Sequence, residues 1–484
     1  MFRYSSIKDY HQSLQNGQTT CVEAVRCYID AITAKPQLNA FLEVFSEEAL
    51  QKAADLDAKR KAGAPMGKLH GVVVGIKDVI CYKGHTITAG SKILENFKSV
   101  YSATVVEKML EEEAIIIGRQ NCDEFAMGSS SENSAFGPVK NALDESRVPG
   151  GSSGGSAVSV QAGFTMISLG SDTGGSVRQP ADFCGVVGVK PSYGRISRYG
   201  LIAYASSFDQ IGIFALSVED AALVLEVISG KDNFDSTLSQ EPVPAYSKFL
   251  GNGHNLVESK KTYKIAYFKQ ALEHPGLDID IKEAFFKLID QLRAAGHLVD
   301  PIEFNFLQQV VPTYYVLTTA EASSNLARFD GVRYGHRTSI QNVDLNELYK
   351  ASRTEGFGKE VQRRIMLGSF VLSSGYFDAY FTKAQQVRRL LWNKSNEIFA
   401  TYEAILSPTV PSTAFKLGEK SDDQVAMFLA DIYTVFANLV GIPSISIPLF
   451  KHPNGMPFGL QLMTNHFKEM ELLQLSQTMM ELKK

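Results

Sequence analysis

One lysine and two serines carry the chemistry that this sequence could perform. Lys77 stands near the end of the apolar run GVVVGIKDVI at 71–80. Ser152 lies in GGSSGGS at 150–156, and Ser176 lies in a second glycine–serine run, GSDTGGSVRQPADFCG, at 170–185. A serine hydroxyl becomes a nucleophile only with a base in hydrogen-bond reach. None of the nine histidines sits in a context suited to that task, and no GxSxG elbow is present. Lysine is the remaining base, and it needs an apolar setting. Bringing its pKa from about 10.4 to about 7 takes roughly 4.6 kcal/mol, which burial can supply. GVVVGI is such a setting, and Asp78 points to the opposite face of a continuing strand.

Glycine–serine runs also serve as flexible linkers or phosphate cradles. Buried-looking segments flank 150–156 closely, which argues against a linker. The run lacks the GK[ST] ending of a P-loop and does not spell GxGxxG after a clean strand. A catalytic loop remains, in which glycine lets backbone approach a substrate. In the second run Thr173, Gly174, Gly175 and Ser176 would present consecutive N–H groups around one hydroxyl, a nest for an oxyanion. Taken singly, these features are ordinary: a lysine after a strand is a solvated end, a serine among glycines is a turn residue, and Asp172 with Arg178 is a structural ion pair. Their joint occurrence reverses that reading.

Positioning these groups requires a sheet. The first seventy residues read as helical. Thr20-x-x-Glu23 is a capping box, and Val22, Val25, Ile29 and Ile32 share a helical face behind it. A second helix runs from Glu47 to about Ala62, stopped by Gly63 and Pro65. From residue 71 the texture changes. Apolar runs of strand length occupy 71–80, 114–120, 164–172 and 184–192, with a helix over 102–113. Few hairpin turns separate them, so they predict a mixed or parallel sheet with helices on both faces. Residues 230–262 are polar, carry Pro242, Pro244, Gly251 and Gly253, and read as a loop or insertion. A β-α-β unit follows: a strand at 263–268, a helix at 280–295 with Ile281, Phe285, Leu288 and Leu292 on one face, and a strand in 297–304. Helical patterns fill 312–402, and short strands at 404–410, 444–450 and 459–463 close the chain. The reading is thus an N-terminal helical segment, 1–70, on a catalytic domain, 71–484.

Composition excludes several classes. The chain has 484 residues, 44% hydrophobic and 21% charged, as soluble globular proteins do. Forty-eight basic against 52 acidic residues, a net charge of −4, leaves no electrostatic footprint for nucleic acid or an anionic membrane. Five scattered cysteines form no CxxC or zinc pattern and read as reduced thiols, so neither a metal site nor a disulfide is expected. The start lacks a signal-peptide h-region and no run is long enough to span a membrane, which predicts a cytoplasmic location.

Lys77, Ser152 and Ser176, 75 and then 24 positions apart, resemble the Ser–Ser–Lys arrangement of the amidase signature family. The resemblance extends over essentially the whole chain, to PFGLQLM. It implies an α/β/α sandwich built on a large mixed β-sheet. It also implies roles: Ser176 as nucleophile, Ser152 after a cis peptide bond as proton relay, and Lys77 as base.

Within that family, four stretches resemble the glutamine-hydrolysing A subunits of tRNA-dependent amidotransferases: DEFAMGSSSENSAFGP (123–138), SRYGLIAYASSFDQIG (197–212), EASSNLARFDGVRYG (321–335) and EGFGKEVQRRIMLGSFVLSSGYFDAY (355–380). That resemblance implies glutamine as substrate, with Arg364 (rather than Arg363) for its α-carboxylate, Asp431 for its ammonium and Tyr315 (or Tyr314) assisting. A zwitterionic amino acid needs such a cation and anion. It implies no cofactor in this chain and two partners, the B and C subunits, in a heterotrimer. ATP and Mg would be used by the B subunit, and misacylated Glu-tRNA(Gln) or Asp-tRNA(Asn) would be handled mainly there. The chain departs from the subgroup at Ala142-Leu143, at Ile213 and at Phe436, which the motif sets beside the pocket. A stand-alone amidase acting on another small amide is the alternative.

Overall fold

The computed structural model describes residues 4–250, 261–420 and 430–483. Eleven strands form one sheet: β1 (Phe41–Val44), β2 (Val73–Lys77), β3 (Ile115–Gln120), β4 (Ile167–Asp172), β5 (Val187–Lys190), β6 (Gln210–Ala215), β7 (Lys264–Phe268), β8 (Leu298–Ile302), β9 (Ala404–Pro408), β10 (Ser444–Lys451) and β11 (Pro457–Thr464). Their order is β1-β3-β2-β4-β6-β5-β10-β11-β9-β7-β8. β2 runs parallel to β3 and β4, and β7 parallel to β8 and β9; the other pairs are antiparallel. The sheet is therefore mixed. β2 to β6 are buried at every position, as continuous apolar runs must be when both faces are covered.

The expected β-α-β unit is present: β7, the helix Ile279–Ala294 and β8, with β7 and β8 parallel. Ile281, Phe285, Leu288 and Leu292 are buried along that helix. The helical expectation for 312–402 resolves into Leu307–Asn325, Leu345–Gly356, Lys359–Val371 and Lys383–Phe399.

Three local readings change. The N-terminal seventy residues contain β1, which pairs antiparallel with β3, so this segment builds the sheet edge rather than only packing on it. Four residues are too few to carry a legible alternation. In the helix Cys21–Ala34 the Thr20–Glu23 capping box forms, but the buried face is Cys21, Ala24, Val25 and Tyr28. Val22, Ile29 and Ile32 lie on its partly buried flank, because small residues let the neighbouring helix approach. Phe436 packs edge-on against Phe268 and Phe304, with centroids at 5.5 and 5.2 Å, and is core. Residues 230–250 are mostly irregular with a short helix at Tyr246–Leu250; the rest of the expected loop, 251–260, lies outside the described residues. Among the described residues all five cysteines are free, and no helix is long and apolar enough to cross a membrane.

Candidate active site

Lys77 ends β2, whose register beside β4 (Ile76 opposite Leu169) aims the lysine at the start of the second glycine–serine run. The side chain is fully buried. Its Nζ lies 2.7 Å from Ser152 Oγ, 2.9 Å from Ser153 Oγ and 2.9 Å from Ser171 Oγ. Burial holds the amine down to about 8, against the pull of Cys122, Asp123, Asp172 and Asp209. Asp78 faces elsewhere, accepting from Arg119, Thr88 and the Gly90 N–H.

Ser153 is excluded as the partner of the lysine's lone pair. Its hydroxyl proton is committed to the Ser171 carbonyl, 3.1 Å away, so Ser153 can only accept from Lys77. A neutral amine has two N–H donors and one lone pair. With one N–H on Ser153, the lone pair is left to meet a hydroxyl proton from Ser152, the nearest of the three oxygens, or from Ser171.

Ser152 follows a cis peptide bond from Gly151. The Gly151 N–H donates to Gln179 Oε1 at 3.0 Å, and a Cβ on Gly151 would sit 2.2 Å from Asp123 Oδ2, so only glycine fits. The Ser153 N–H donates to the Ser176 carbonyl at 3.3 Å and ties the two serine runs together. Ser176 itself is 8% exposed, and its hydroxyl has no hydrogen-bond partner among the described residues. Among the described residues Ser152 Oγ is bonded to Lys77 Nζ and not to Ser176 Oγ.

The nest differs from its reading in one group. The Gly175 N–H donates to Asp172 Oδ1 at 2.9 Å, which leaves Thr173, Gly174 and Ser176 with N–H groups unpaired among the described residues. The cause is Asp172, which turns back under the loop and also accepts from Val177 N–H at 3.1 Å. A fully buried Arg178 pairs with it at 3.1 and 3.0 Å and places its remaining N–H groups on the Thr434 carbonyl, Gln461 and Asn438. Arg178, with Lys190 and Asn438 beside it, holds Asp172 well below the usual carboxylate range despite burial. Gly175 has φ +132°, and a Cβ there would meet Thr434 at 2.3 Å; a Cβ on Gly174 would meet the Tyr314 ring at 2.4 Å. Both positions admit glycine alone.

Next to the nest lies a pair of opposite charges. Asp431 accepts from Tyr315 Oη at 3.0 Å and from Ser129 Oγ at 3.2 and 3.1 Å. Burial pushes its carboxyl up to about 7. Arg364 is buried, with Nη1 on Tyr204 Oη and Nε on Glu360, each at 2.8 Å, and its guanidinium lies 5.4 Å from the Tyr315 ring centroid. Its Nη2 has no partner among the described residues. Arg363, one position along the helix, is exposed and pairs with Glu360. Tyr314 caps the nest while Tyr315 serves Asp431, so the two tyrosines have separate places. Asp209 links the nest to this pair: it accepts from Thr173 Oγ1 at 2.6 Å and from the Tyr204 N–H at 3.0 Å.

Sequence reasoning passed over Ser153, Ser171, Ser129, Tyr204 and Asp209. Ser153 and Ser171 adjoin named residues, and the others lie in motifs already singled out; which side chain turns inward was not readable there. No histidine bonds to Lys77, Ser152 or Ser176 among the described residues. Asp278, Asp280 and His452 form a metal-type cluster elsewhere, but His452 Nδ1 accepts from the Asn454 N–H at 3.1 Å, which puts the ring proton on the nitrogen facing the carboxylates.

Comparison with known proteins adds to this geometry. The Amidase family model matches residues 23–473. The chain is 51% identical over 465 residues to the A subunit of a glutamyl-tRNA(Gln) amidotransferase from Koribacter versatilis, covering 96% of this chain and 95% of that one. It is 50% identical over 471 residues to a Chlorobium phaeobacteroides protein of the same name, covering 97% of each. The crystal structure of the A subunit of a glutamyl-tRNA(Gln) amidotransferase from Thermotoga maritima superposes with TM-score 0.75 at 40% identity, over 94% of this chain and 90% of that one. A peptide amidase from Stenotrophomonas maltophilia gives TM-score 0.82 at 26% identity, over 99% and 96%.

Proposed function

The chain belongs to the amidase family, and we propose that within it this protein is the glutamine-hydrolysing A subunit of a glutamyl-tRNA(Gln) amidotransferase. The relatives at 51% and 50% identity carry that name. The observation that carries the substrate is Tyr315: its hydroxyl serves Asp431 and its ring lies beside Arg364. A cation beside the ring and an anion on its hydroxyl match the two α-charges of an amino acid.

Glutamine docks with its α-carboxylate on Arg364 and its ammonium on Asp431, and its side-chain carboxamide reaches Ser176. Neutral Lys77 takes the Ser152 proton as Ser152 takes the Ser176 proton, and Ser176 Oγ attacks the carboxamide carbon. The tetrahedral oxyanion lies among the N–H groups of Thr173, Gly174 and Ser176. The proton returns through Ser152 to the departing nitrogen, which leaves as ammonia. Water then hydrolyses the glutamyl ester. This chain needs no metal or cofactor for these steps. The B subunit of the complex uses ATP and Mg to activate the misacylated tRNA and converts Glu-tRNA(Gln) to Gln-tRNA(Gln) with the ammonia. It joins this chain and a small C subunit in a cytoplasmic heterotrimer.

The test is ammonia release from glutamine by the complex, with wild-type chain and with Ser176→Ala. Release that vanishes in the variant supports the reading. Turnover of simple amides with no use of glutamine overturns it in favour of a stand-alone amidase.

A further inference from the structure

We infer that Glu124 is a positioning residue for substrate binding: from outside the pocket it holds the helix that carries Arg364. The inference rests on the proposed role of Arg364 and goes beyond it.

Glu124 is 2% exposed and sits on a 3-10 turn where Phe125 and Ala126 both take positive φ. One carboxylate oxygen accepts from the Gly358 N–H at 2.8 Å. Gly358 is the N-cap of the helix Lys359–Val371 and has no side chain to cap it. A Cβ there would stand 2.5 Å from the carboxylate, so the glycine makes room for a cap lent by a distant residue. The other oxygen accepts from Ser91 Oγ, which lies 3.2 Å from the Gly356 carbonyl on the preceding helix. Glu124 therefore ties the turn before this helix to the segment that carries Ser91. A carboxyl oxygen at a helix N-terminus satisfies an orphan N–H group.

Two turns into that helix stands Arg364, aimed at Tyr204. The residue before Glu124 serves the other half of the clamp. Asp123 accepts from the N–H groups of Ser131 and Asn133 at 2.9 and 3.0 Å and so fixes the loop from which Ser129 reaches Asp431. Adjacent carboxylates thus stand behind the cation and the anion, and neither touches the substrate. Loss of Glu124 loosens the carboxylate-binding half alone.

The experiment is steady-state hydrolysis by the assembled complex for wild type, Glu124→Leu, Glu124→Gln and Ser91→Ala, with glutamine and with butyramide, a carboxamide without α-charges. Glu124→Leu is expected to raise KM for glutamine about tenfold with kcat within about twofold, and to leave butyramide turnover unchanged. Glu124→Gln, whose amide oxygen can still accept from Gly358 N–H, is expected to restore most of the affinity, and Ser91→Ala to fall between. A fall in kcat at constant KM, or an equal loss on both amides, overturns the inference. If Glu124→Leu does not fold, Ser91→Ala decides by the same criteria: a raised KM for glutamine with butyramide turnover unchanged supports the inference, and an equal loss on both amides overturns it. Failure of wild type to hydrolyse glutamine would instead remove the proposed function itself.

Discussion

Ser153 constrains the orientation of Lys77: it lies 2.9 Å from the amine and gives its own proton to the Ser171 carbonyl. The amine must donate there, which turns its lone pair away from Ser153. Ser153→Ala removes this constraint without touching the nucleophile. The expected result is a fall in kcat of about 10- to 100-fold with KM for glutamine unchanged, read by steady-state kinetics. Equal losses in both constants would mean that the site had collapsed.

Two titrations should separate by pH. In the proposed mechanism Lys77 works only as the neutral amine, and burial brings it to about 8, so kcat should rise with pH through about 8. Asp431 binds an ammonium only when ionised, and burial places it at about 7. KM for glutamine should therefore fall as pH rises through about 7, and kcat/KM should carry both limbs. A pH series on the complex checks this; one limb shared by kcat and KM would contradict it.

Lys77 also makes stability depend on pH. Its folded-state pKa of about 8 lies below the ordinary 10.5. Below about 8 both states hold the proton, and the folded state bears the full cost of burying it. Between about 8 and 10.5 only the unfolded chain keeps it, so stability rises with pH across that window, by up to about 3 kcal/mol in all. In Lys77→Met this rise should disappear along with activity. Urea unfolding of both proteins at neutral and alkaline pH measures the difference.

Arg364→Gln should raise KM for glutamine about 100-fold, through loss of a buried cation for the α-carboxylate, and leave simple amides unaffected. Arg363→Gln, on an exposed side chain, should change neither. A larger effect at 363 than at 364 would reassign the clamp.

Gly174→Ala places a Cβ against the Tyr314 ring at 2.4 Å and should displace the nest. The expected cost is a kcat lower by about 100-fold or more with the protein still folded, checked by kinetics beside circular dichroism.

Much of the architecture was legible locally. Strands β2 to β5 announced themselves as apolar runs because burial on both faces leaves no polar alternation. β1 did not, since its four half-buried residues acquire meaning only by pairing with β3. The helix face in Cys21–Ala34 was read incompletely: Val25 is buried and Val22, Ile29 and Ile32 pack against the core, but Cys21 and Ala24, small and weakly apolar, count little in a periodicity yet bury completely.

The sequence by itself marked the candidate reacting groups: Lys77 behind an apolar strand, and two serines in glycine-rich runs. These are properties of neighbours in the chain, set by sterics and hydropathy. Tertiary structure alone decided that Asp172 takes one N–H from the nest, that Ser129 meets Asp431 across 302 positions and that Glu124 meets Gly358 across 234. Hydrogen bonds over such separations depend on which surfaces the packed sheet brings together. No local pattern encodes that choice, because each partner satisfies its own segment equally well facing water.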